Sequence, residues 1–397
     1  MLKIENPKKR IIAEFFNFFF KILFFPFLFS RKNPPEIFNK ILILRLDHIG
    51  DVVMSSSVYR AIKKKFPKVK ISVMAGSWAE EILKFNPYID EIILCDCPWW
   101  KAVRNQQYSY LKWFLFEYPK IIKKIRNGKF DIGIDLRGDF RHILFFLFPG
   151  NIKFKLSYNR SGGEYLLDRA VSYDINMHEV DKNFKLLEIL GIRNVSMEDK
   201  RPEIFITDEI RNRVEKLIKK EKVKDKVKVI IHPGAGNYLR RWEEIKFAEI
   251  IDWLKSNYNC EVFVVGSEEE KPIAEKIIKY CKNDFINFTG KLSILETAAL
   301  IEKGDLFIGN DSAIGHIASC FDIFILTLFG PNFPERCRPY SPYSFYIYHK
   351  LPCSPCLQIK CKFDNERGWC MKNIKTDQVK KKISEIFEKI NFKKEEK

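Results

Sequence analysis

Short runs of apolar residues recur along the chain, and most are followed by a segment whose apolar positions have helical spacing. In the first half the runs are ILILRL from Ile41, VKISVMAG from Val69, EIILCD from Glu91 and FDIGIDLRG from Phe130. In the second half they are VKVIIHPG from Val227, EVFVVGS, FINFTG, DLFIGNDS and IFILTLFGP. Alternating strands and helices predict parallel sheets with right-handed crossovers and helices on both faces. We therefore expect an α/β protein with two Rossmann-like, doubly wound domains that face a cleft.

The same pattern divides the chain of 397 residues, which is long enough for two substantial cores. A charged, glycine-free stretch separates the two alternating halves. The predicted divisions are a membrane-associated segment and linker at 1–38, a first domain at 39–208, a connecting segment at 209–226, a second domain at 227–350, and a cysteine cluster with a C-terminal helix at 351–397.

The N-terminal segment KKRIIAEFFNFFFKILFFPFLFSRK is rich in phenylalanine and basic at both ends. Arg10, Glu14, Asn17 and Lys21 follow one another at steps of four, three and four, which places them on one face of a helix. A helix across the bilayer would bury this stripe, at about 2.5–3.5 kcal/mol for a central lysine on an insertion scale. A helix in the interface leaves the stripe in water. The pattern favours an amphipathic helix on a membrane surface, with a spanning helix and a buried domain helix as alternatives.

The amino-acid composition gives only a weak indication of the binding partners. Lysine and arginine number 69 against 51 acidic residues, a net charge of +18, which suits an acidic partner such as membrane lipid, a phosphorylated substrate or nucleic acid. A general bias toward lysine explains the charge equally well. The ten cysteines are too sparse for a secreted domain held by disulfides, so a reducing compartment is expected.

The first strand leads through Gly50 and Asp51 into a helix. A carboxylate at the carboxyl end of a parallel strand can cap the helix or serve as the acid or base of a site. Asp47, four residues earlier, is the alternative base.

Two glycine-containing loops follow strands of the second half, HPGAGNYLRRW from His232 and GNDSAIGH from Gly309. Gly234 and Gly236 allow a ligand to approach the backbone, and Arg240 or Arg241 could neutralise a diphosphate. Asp311 could bind a sugar and Ser312 offers a hydroxyl at a helix start, although a turn with a helix cap explains the same residues. The chain contains no Asp-x-Asp triplet, the obvious metal and nucleotide ligand pair.

In order and spacing these segments resemble glycosyltransferase family nine, the ADP-heptose:lipopolysaccharide heptosyltransferases and their relatives. The similarity covers about Ile41 to Ile374. It is carried by RLDHIGDVV, DLRGDFR, HEVDKNFKLLEILGI, HPGAGNYLRRW, VVGSEEE, FTGKLSILE, GNDSAIGH and LFGPNFPERCRPYSP.

The resemblance implies a GT-B type fold and an inverting transfer from a nucleotide sugar, most readily heptose from ADP-heptose, with no cofactor required for catalysis. It implies Asp51 as the catalytic base, Arg240 at the donor diphosphate and Asp311 at the donor sugar. The other donor-binding candidates are Gly234, Gly236, Arg241, Glu269, Ser312, Gly315 and His316. The acceptor-binding candidates are Asp47, Arg137, Arg141 and Arg160. Arg240 stands where the family usually has lysine, and Ala313-Ile314 replaces its usual Gly-Pro or Gly-Leu.

The expected partners are a nucleotide-sugar donor, a lipid-linked saccharide acceptor such as the lipopolysaccharide core, and the cytoplasmic face of the inner membrane, without nucleic acid. A second hypothesis keeps the fold but uses another nucleotide sugar for a different surface glycan. A third is a basic, membrane-tethered binding protein without catalysis.

Four cysteines cluster near the end as CSPCLQIKCKFDNERGWC. Four thiolates of one loop can hold structural zinc or an iron–sulfur cluster, so Cys353, Cys356, Cys361 and Cys370 are candidate metal ligands. Disulfides and unpaired packing cysteines are the alternatives.

Overall fold

The computed structural model of the chain describes residues 7–23, 32–100, 109–221, 223, 226–356, 360–364 and 367–395. The chain divides into two compact units, Met1–Lys200 and Arg201–Lys397. Each unit has its own parallel sheet and its own buried core.

The first unit contains six parallel strands in the order β3-β2-β1-β4-β5-β6. The strands are β1 Lys40–Leu44, β2 Lys70–Ala75, β3 Glu91–Leu94, β4 Ile132–Asp135, β5 Phe154–Tyr158 and β6 Arg169–Val171. The helices are α1 Pro7–Leu23, α2 Ile49–Met54, α3 Ser56–Lys65, α4 Glu80–Leu83, α5 Tyr110–Lys112, α6 Tyr118–Gly128, α7 Phe140–His142, α8 Glu179–Leu187 and α9 Met197–Lys200. Two π-helical turns, Trp113–Glu117 and Ile143–Leu147, follow α5 and α7.

The second unit repeats this strand order as β12-β11-β10-β7-β8-β9. Its strands are β7 Val227–His232, β8 Cys260–Val264, β9 Ile286–Asn287, β10 Leu306–Asn310, β11 Phe324–Phe329 and β12 Ser344–Tyr348. Its helices are α10 Asp208–Lys220, α11 Glu244–Asn257, α12 Lys271–Tyr280, α13 Ile294–Glu302, α14 Ala313–Ala318, α15 Pro334–Cys337, α16 Trp369–Lys372 and α17 Thr376–Glu395.

The central strands are apolar on both faces because helices cover the sheets from both sides. Ile41 to Leu44 of β1 and Val229 to Ile231 of β7 are fully buried. The fold class expected from the alternating pattern is confirmed as two parallel-sheet α/β domains. The pattern did not indicate β5, β6 or β12, whose sequences FKLSY, RAV and SFYIY are less apolar and lie toward the outer side of each sheet.

Two segments that the sequence analysis placed outside the second domain belong to the second unit. Residues 209–226, predicted as a connection, contain most of α10, which packs against α13. The C-terminal helix α17 contributes Val379, Ile383, Ile386 and Phe387 to the same core as β7 and β10.

Helix α1 exposes apolar side chains to solvent and turns part of its polar stripe toward the first unit. Phe15, Phe18, Phe19 and Ile22 are between 55% and 69% exposed. Asn17, on the polar stripe that was expected to lie in water, instead accepts a hydrogen bond from the Gly163 backbone N–H at 2.9 Å. Part of the polar stripe therefore contacts the unit while apolar side chains point outward. None of the helices in the described ranges combines the length and the hydropathy needed to cross a bilayer.

Candidate active site

In both sheets the strand order reverses beside the first strand, between β1 and β4 in one unit and between β7 and β10 in the other. In open α/β sheets, ligands bind outside the carboxyl ends of the strands at such switch points. The candidate residues of the first unit follow β1, β4 and β5, and most of those of the second unit follow β7 and β10. The topology thus gathers two groups of side chains, one in each unit.

Asp51 lies in the first turn of α2, directly after the loop that leaves β1. Its side chain is 28% exposed. Arg45 approaches it twice, with Nη2 3.7 Å from Asp51 Oδ1 and with Nε donating to the Asp51 carbonyl oxygen at 3.0 Å. Asp51 is therefore a fixed carboxylate that solvent can reach.

Asp47 lies in different surroundings, with only 1% of its side chain exposed. Arg45 Nη1 is 3.3 Å from Asp47 Oδ2, and Arg137 forms an ion pair with Asp47 Oδ1. The Trp78 indole donates to the Asp47 carbonyl oxygen at 2.8 Å. Asp47, predicted to bind the acceptor, is buried between two arginines and positions them.

The loop after β4 is built on Asp135, which the sequence placed in a motif without assigning it a role. Its fully buried carboxylate accepts from the backbone N–H groups of Gly138 at 2.7 Å and Asp139 at 3.0 Å, and from Ser157 Oγ at 2.9 Å. It also shares a 2.9 Å hydrogen bond with His142 Nδ1. This network fixes the loop that carries Arg137 and Arg141.

The three arginines predicted to bind the acceptor differ in what they contact. Arg141 binds Asp139 through Nε and Nη2 at 2.9 and 2.6 Å, and stacks 5.3 Å above the Trp99 ring. Burial acts to raise the pKa of Asp139, but the hydrogen bond from Arg141 and the nearby positive charges hold it far below its usual range. Arg141 is therefore held in an ion pair with Asp139, which stays ionised.

Arg137 and Arg160 form the positive part of this group. Arg137 stacks on Trp100, with its guanidinium carbon 4.6 Å from the ring centre. Burial and then the charge of Arg160 lower the pKa of Arg137 to about 9. Arg137 is still protonated at neutral pH and pairs with Asp47, and the Arg160 guanidinium carbon lies 5.1 Å from the centre of the Tyr173 ring.

In the second unit, β7 and β10 bring Arg240 and Asp311 together. Arg240 Nη1 lies 3.2 Å from Asp311 Oδ2, and Asn332 Nδ2 donates to the same oxygen at 2.7 Å. Arg240 Nε has no hydrogen-bond partner within the described part of the chain. Arg241 has another role, because its Nε donates to the Ala235 carbonyl oxygen at 2.8 Å and holds the loop after β7.

His232, Ser312 and Glu270 form a partly buried chain of hydrogen bonds. His232 Nδ1 lies 3.0 Å from Ser312 Oγ, and His232 Nε2 lies 3.1 Å from Glu270 Oε2. Burial acts to raise the pKa of Glu270, but the hydrogen bond and charge of His232 outweigh it and lower the pKa to about 2. An ionised carboxylate only accepts, so His232 Nε2–H donates to Glu270.

The sequence analysis assigned no role to Glu270 or to His232. Glu269, the acidic residue predicted to contact the donor, is exposed on the 3₁₀ turn Glu268–Glu270. The sequence signal for Glu270 is a capping box, in which Ser267 caps the turn. The backbone N–H of Ser267 donates to the Glu270 carboxylate at 2.9 Å. That geometry turns Glu270 inward toward His232.

The two glycines of the β7 loop differ in the space around them. A Cβ at Gly234 would collide with the Glu270 carboxylate, whereas a Cβ at Gly236 would meet no atom of the chain within 4 Å. Gly315 and His316 are buried within α14, behind the helix start. Gly236 therefore borders open space at the site, and Gly234 makes room for a neighbouring side chain.

A family model described as glycosyltransferase family 9 (heptosyltransferase) matches residues 119–366, more than half of the chain. The chain belongs to glycosyltransferase family 9. A lipopolysaccharide heptosyltransferase 3 of Escherichia coli K12 is 27% identical over 322 residues, which cover 76% of this chain and 87% of that protein.

Solved structures agree with this glycosyltransferase assignment at the level of the fold. A family 9 glycosyl transferase from Veillonella parvula matches with a TM-score of 0.74 and 21% identity, over 89% of this chain and 99% of its own. The E. coli ADP-heptose lps heptosyltransferase II matches with a TM-score of 0.67 and 18% identity, over 87% and 98%. The two α/β units thus have the GT-B-like fold of these neighbours.

The cysteine cluster of this glycosyltransferase borders a cavity of about 250 Å³ lined by Cys353, Cys356, Cys361 and Cys370. In the described ranges, none of the ten cysteines forms a disulfide. No group of three or more histidine, cysteine, aspartate or glutamate side chains in these ranges is arranged to hold a metal ion. The structure therefore gives the predicted zinc or iron–sulfur site no support. Cys370 is buried, and burial raises the pKa of its thiol to about 11, which favours the uncharged form.

Proposed function

We propose that this glycosyltransferase transfers heptose from ADP-heptose, with inversion and without a metal ion, to a lipopolysaccharide-core or related lipid-linked acceptor. The lipopolysaccharide heptosyltransferases among its relatives support the sugar and the acceptor class. The observation that carries the proposal is the pairing of Arg240 with Asp311 at the switch point of the second sheet.

Arg240 is suited to the donor diphosphate in this proposal. Its guanidinium is partly exposed and its Nε is not hydrogen-bonded by any described residue, so it can turn from Asp311 to diphosphate oxygens. Arginine binds such oxygens in a planar, two-pronged geometry that lysine does not offer. Asp311, still held by Asn332, would then accept from the hydroxyl groups of the donor sugar.

Asp51 is the proposed base. As the acceptor oxygen attacks the anomeric carbon, its proton passes to Asp51 and the bond from that carbon to the diphosphate oxygen breaks. The nucleoside diphosphate leaves with the bonding electron pair, on the face opposite the attack. Arg240 and backbone N–H groups would stabilise the added negative charge.

Arg137 and Arg160 are the proposed contacts for anionic groups of the acceptor. Arg137 lies after β4 beside the ring of Trp100, and Arg160 lies after β5 beside the ring of Tyr173. Burial and the charge of Arg160 disfavour the positive charge of Arg137, so a negative partner is favourable there. Arginine also binds phosphate or carboxylate oxygens through two parallel hydrogen bonds.

We further propose that the enzyme is peripheral on the cytoplasmic face of the inner membrane. The outward phenylalanines of α1 support this location, since apolar side chains gain free energy in the interface of a bilayer. The net charge of +18 adds attraction to anionic lipid.

A donor screen tests the proposed function. Thermal unfolding is measured with ADP-heptose, UDP-glucose and GDP-mannose, followed by turnover of each donor with a purified core acceptor. A ligand at 100 times its Kd stabilises the folded state by about 2.7 kcal/mol. ADP-heptose should give the largest shift and the only turnover. A larger shift and turnover with another donor would replace heptose in the proposal.

A further inference from the structure

The helix that begins at Tyr110 carries a second set of exposed apolar side chains. Tyr110, Leu111, Leu115 and Phe116 are between 55% and 66% exposed. They are neighbours in space, because the π-helical turn at Trp113–Glu117 brings residues five positions apart toward the same side. We call these four residues the apolar ridge.

The opposite side of the same helix fixes the ridge to the first unit. Trp113 is buried, with its ring 5.5 Å from Trp99 in an edge contact. Phe114 packs against Phe145 at 5.3 Å. These contacts complete the packing of the helix against the core. The ridge takes no part in that packing and remains exposed as an additional apolar surface.

Basic residues follow the ridge along the helix. Lys112 is exposed beside it, and Lys120, Lys123 and Lys124 lie on the outer surface of the next turns. Two of them have weak surface pairs, Lys120 with Glu117 and Lys124 with Glu91. The helix thus begins with an apolar surface and continues with positive charge. This order matches an anionic bilayer, in which apolar side chains enter the hydrocarbon and lysines meet the phosphate groups.

Contacts link the ridge to the proposed acceptor site and to α1. The Arg141 guanidinium carbon lies 5.3 Å from the centre of the Trp99 ring, which touches Trp113 below the ridge. On the other side, Gly163, which donates to Asn17 of α1, lies so close to the Phe140 ring that a Cβ there would be 2.8 Å away. The helical stretch from Phe140 to Leu147 therefore contacts the ridge helix through Phe145 and is linked to α1 through Phe140 and Gly163.

We propose that the apolar ridge inserts into the surface of an anionic bilayer as a second contact, separate from α1. Its value for catalysis rests on the proposed function, because the ridge would keep the acceptor arginines close to a sugar whose lipid stays in the membrane. A second copy of this chain fits the ridge poorly, since two chains of charge +18 repel each other.

The test compares two double variants of the full chain. Leu115→Glu with Phe116→Glu places two charges on the ridge. Ile245→Glu with Ile278→Glu places two charges at equally exposed apolar positions of the second unit. Flotation is measured with vesicles of phosphatidylcholine containing about 30% phosphatidylglycerol, because anionic lipid attracts basic surfaces.

The bound fraction of the ridge variant should fall by about tenfold or more relative to the wild type, since two inserted apolar groups are replaced by charges that the bilayer repels. The control variant should bind like the wild type. Equal binding by the ridge variant and the wild type overturns the proposal. So does a wild-type dimer that only the ridge variant dissociates, with vesicle binding unchanged.

Two activity measurements separate this proposal from the function itself. The ridge variant should keep its thermal shift with ADP-heptose and its turnover of a delipidated, water-soluble acceptor, but lose turnover of acceptor embedded in vesicles. If no donor is turned over by any variant, the proposed function fails while flotation still reports on the ridge. Full turnover of embedded acceptor by the ridge variant contradicts its catalytic value.

Discussion

Two aspartates four residues apart show how strongly surroundings decide what a carboxylate can do. Asp47 is buried and paired with two arginines, so its charge is neutralised and its carboxylate is closed to solvent. Asp51 has one arginine nearby and stays accessible at the start of α2. The same residue type therefore serves to hold the loop at one position and is available for proton transfer at the other.

Replacing Asp51 by Asn should lower turnover by about 10²–10⁴-fold, the usual contribution of a positioned base. The thermal shift with ADP-heptose should survive, because the donor is proposed to bind the second unit. The readouts are turnover and thermal unfolding of the same preparation.

Asp47→Asn is the matched control for this prediction. It should lower the stability of the first unit by about 3–5 kcal/mol, because one partner of a buried ion pair is lost and two guanidinium groups remain. Near-normal turnover by Asp51→Asn would remove this residue from the mechanism.

The lowered pKa of Glu270 makes the second unit sensitive to acid. A carboxyl group whose pKa falls from 4.5 to about 2 on folding contributes ~3 kcal/mol above pH 4.5. This contribution is lost as the pH falls from about 5 toward 2, because the unfolded chain takes up the proton first.

Denaturant unfolding of the wild type and Glu270→Gln at several pH values checks this contribution. The stability difference between them should be largest near pH 7 and should shrink progressively below pH 5. A difference that stays constant over this range would mean that Glu270 stabilises the unit by its shape and not by its charge.

At the scale of single elements, the loop after β7 combines two glycines with different purposes. Gly234 leaves room for the Glu270 carboxylate, which His232 and the Ser267 N–H hold in place. Gly236 borders open space. The spacing of the glycines indicated a ligand loop for both, but a side chain of the protein fills the space at one of them.

Single alanine substitutions should separate these two purposes. Gly234→Ala displaces Glu270 and should destabilise the unit by about 1–3 kcal/mol, because His232, which is buried, loses its carboxylate partner. Gly236→Ala should leave stability within about 0.5 kcal/mol of the wild type, as for an unobstructed surface change. Its effect should appear in ADP-heptose affinity, if the donor occupies the open space.

Thermal unfolding with and without ADP-heptose measures both variants. The prediction is contradicted if Gly234→Ala unfolds at the wild-type temperature, or if Gly236→Ala alone destabilises the protein.

At the scale of the whole molecule, two units with one strand order carry different groups at the same topological position. The first places Asp51 and the arginines at its switch point, and the second places Arg240, Asp311 and Ser312 there. A sheet of this order supplies a crevice, and the loops decide what that crevice binds.

Removal of residues 1–32 should move much of the enzyme from the membrane fraction to the supernatant, because it takes away the outward phenylalanines of α1. Turnover of a water-soluble acceptor should not change. The measurement is membrane fractionation of the full and shortened chains at matched salt. An unchanged membrane fraction would exclude α1 as an anchor.

The sequence by itself determined the α/β class, the repeated doubly wound pattern and the family, because these depend on local periodicity and on the order of short motifs. It also placed Asp51, Arg240 and Asp311 at strand ends, since a strand end can be read from where an apolar run stops.

Only the tertiary structure decided which of these side chains are buried, paired or open. The roles of Asp47 and Glu270 depend on partners 90 and 38 positions away, Arg137 for Asp47 and His232 for Glu270. Asp135 depends in part on Ser157, which lies 22 positions away on the next strand. Periodicity contains no information on such pairs, because long-range contacts are set by how sheets and loops pack. The outward phenylalanines of α1 and the apolar ridge were decided in the same way, by which face of each helix the unit uses.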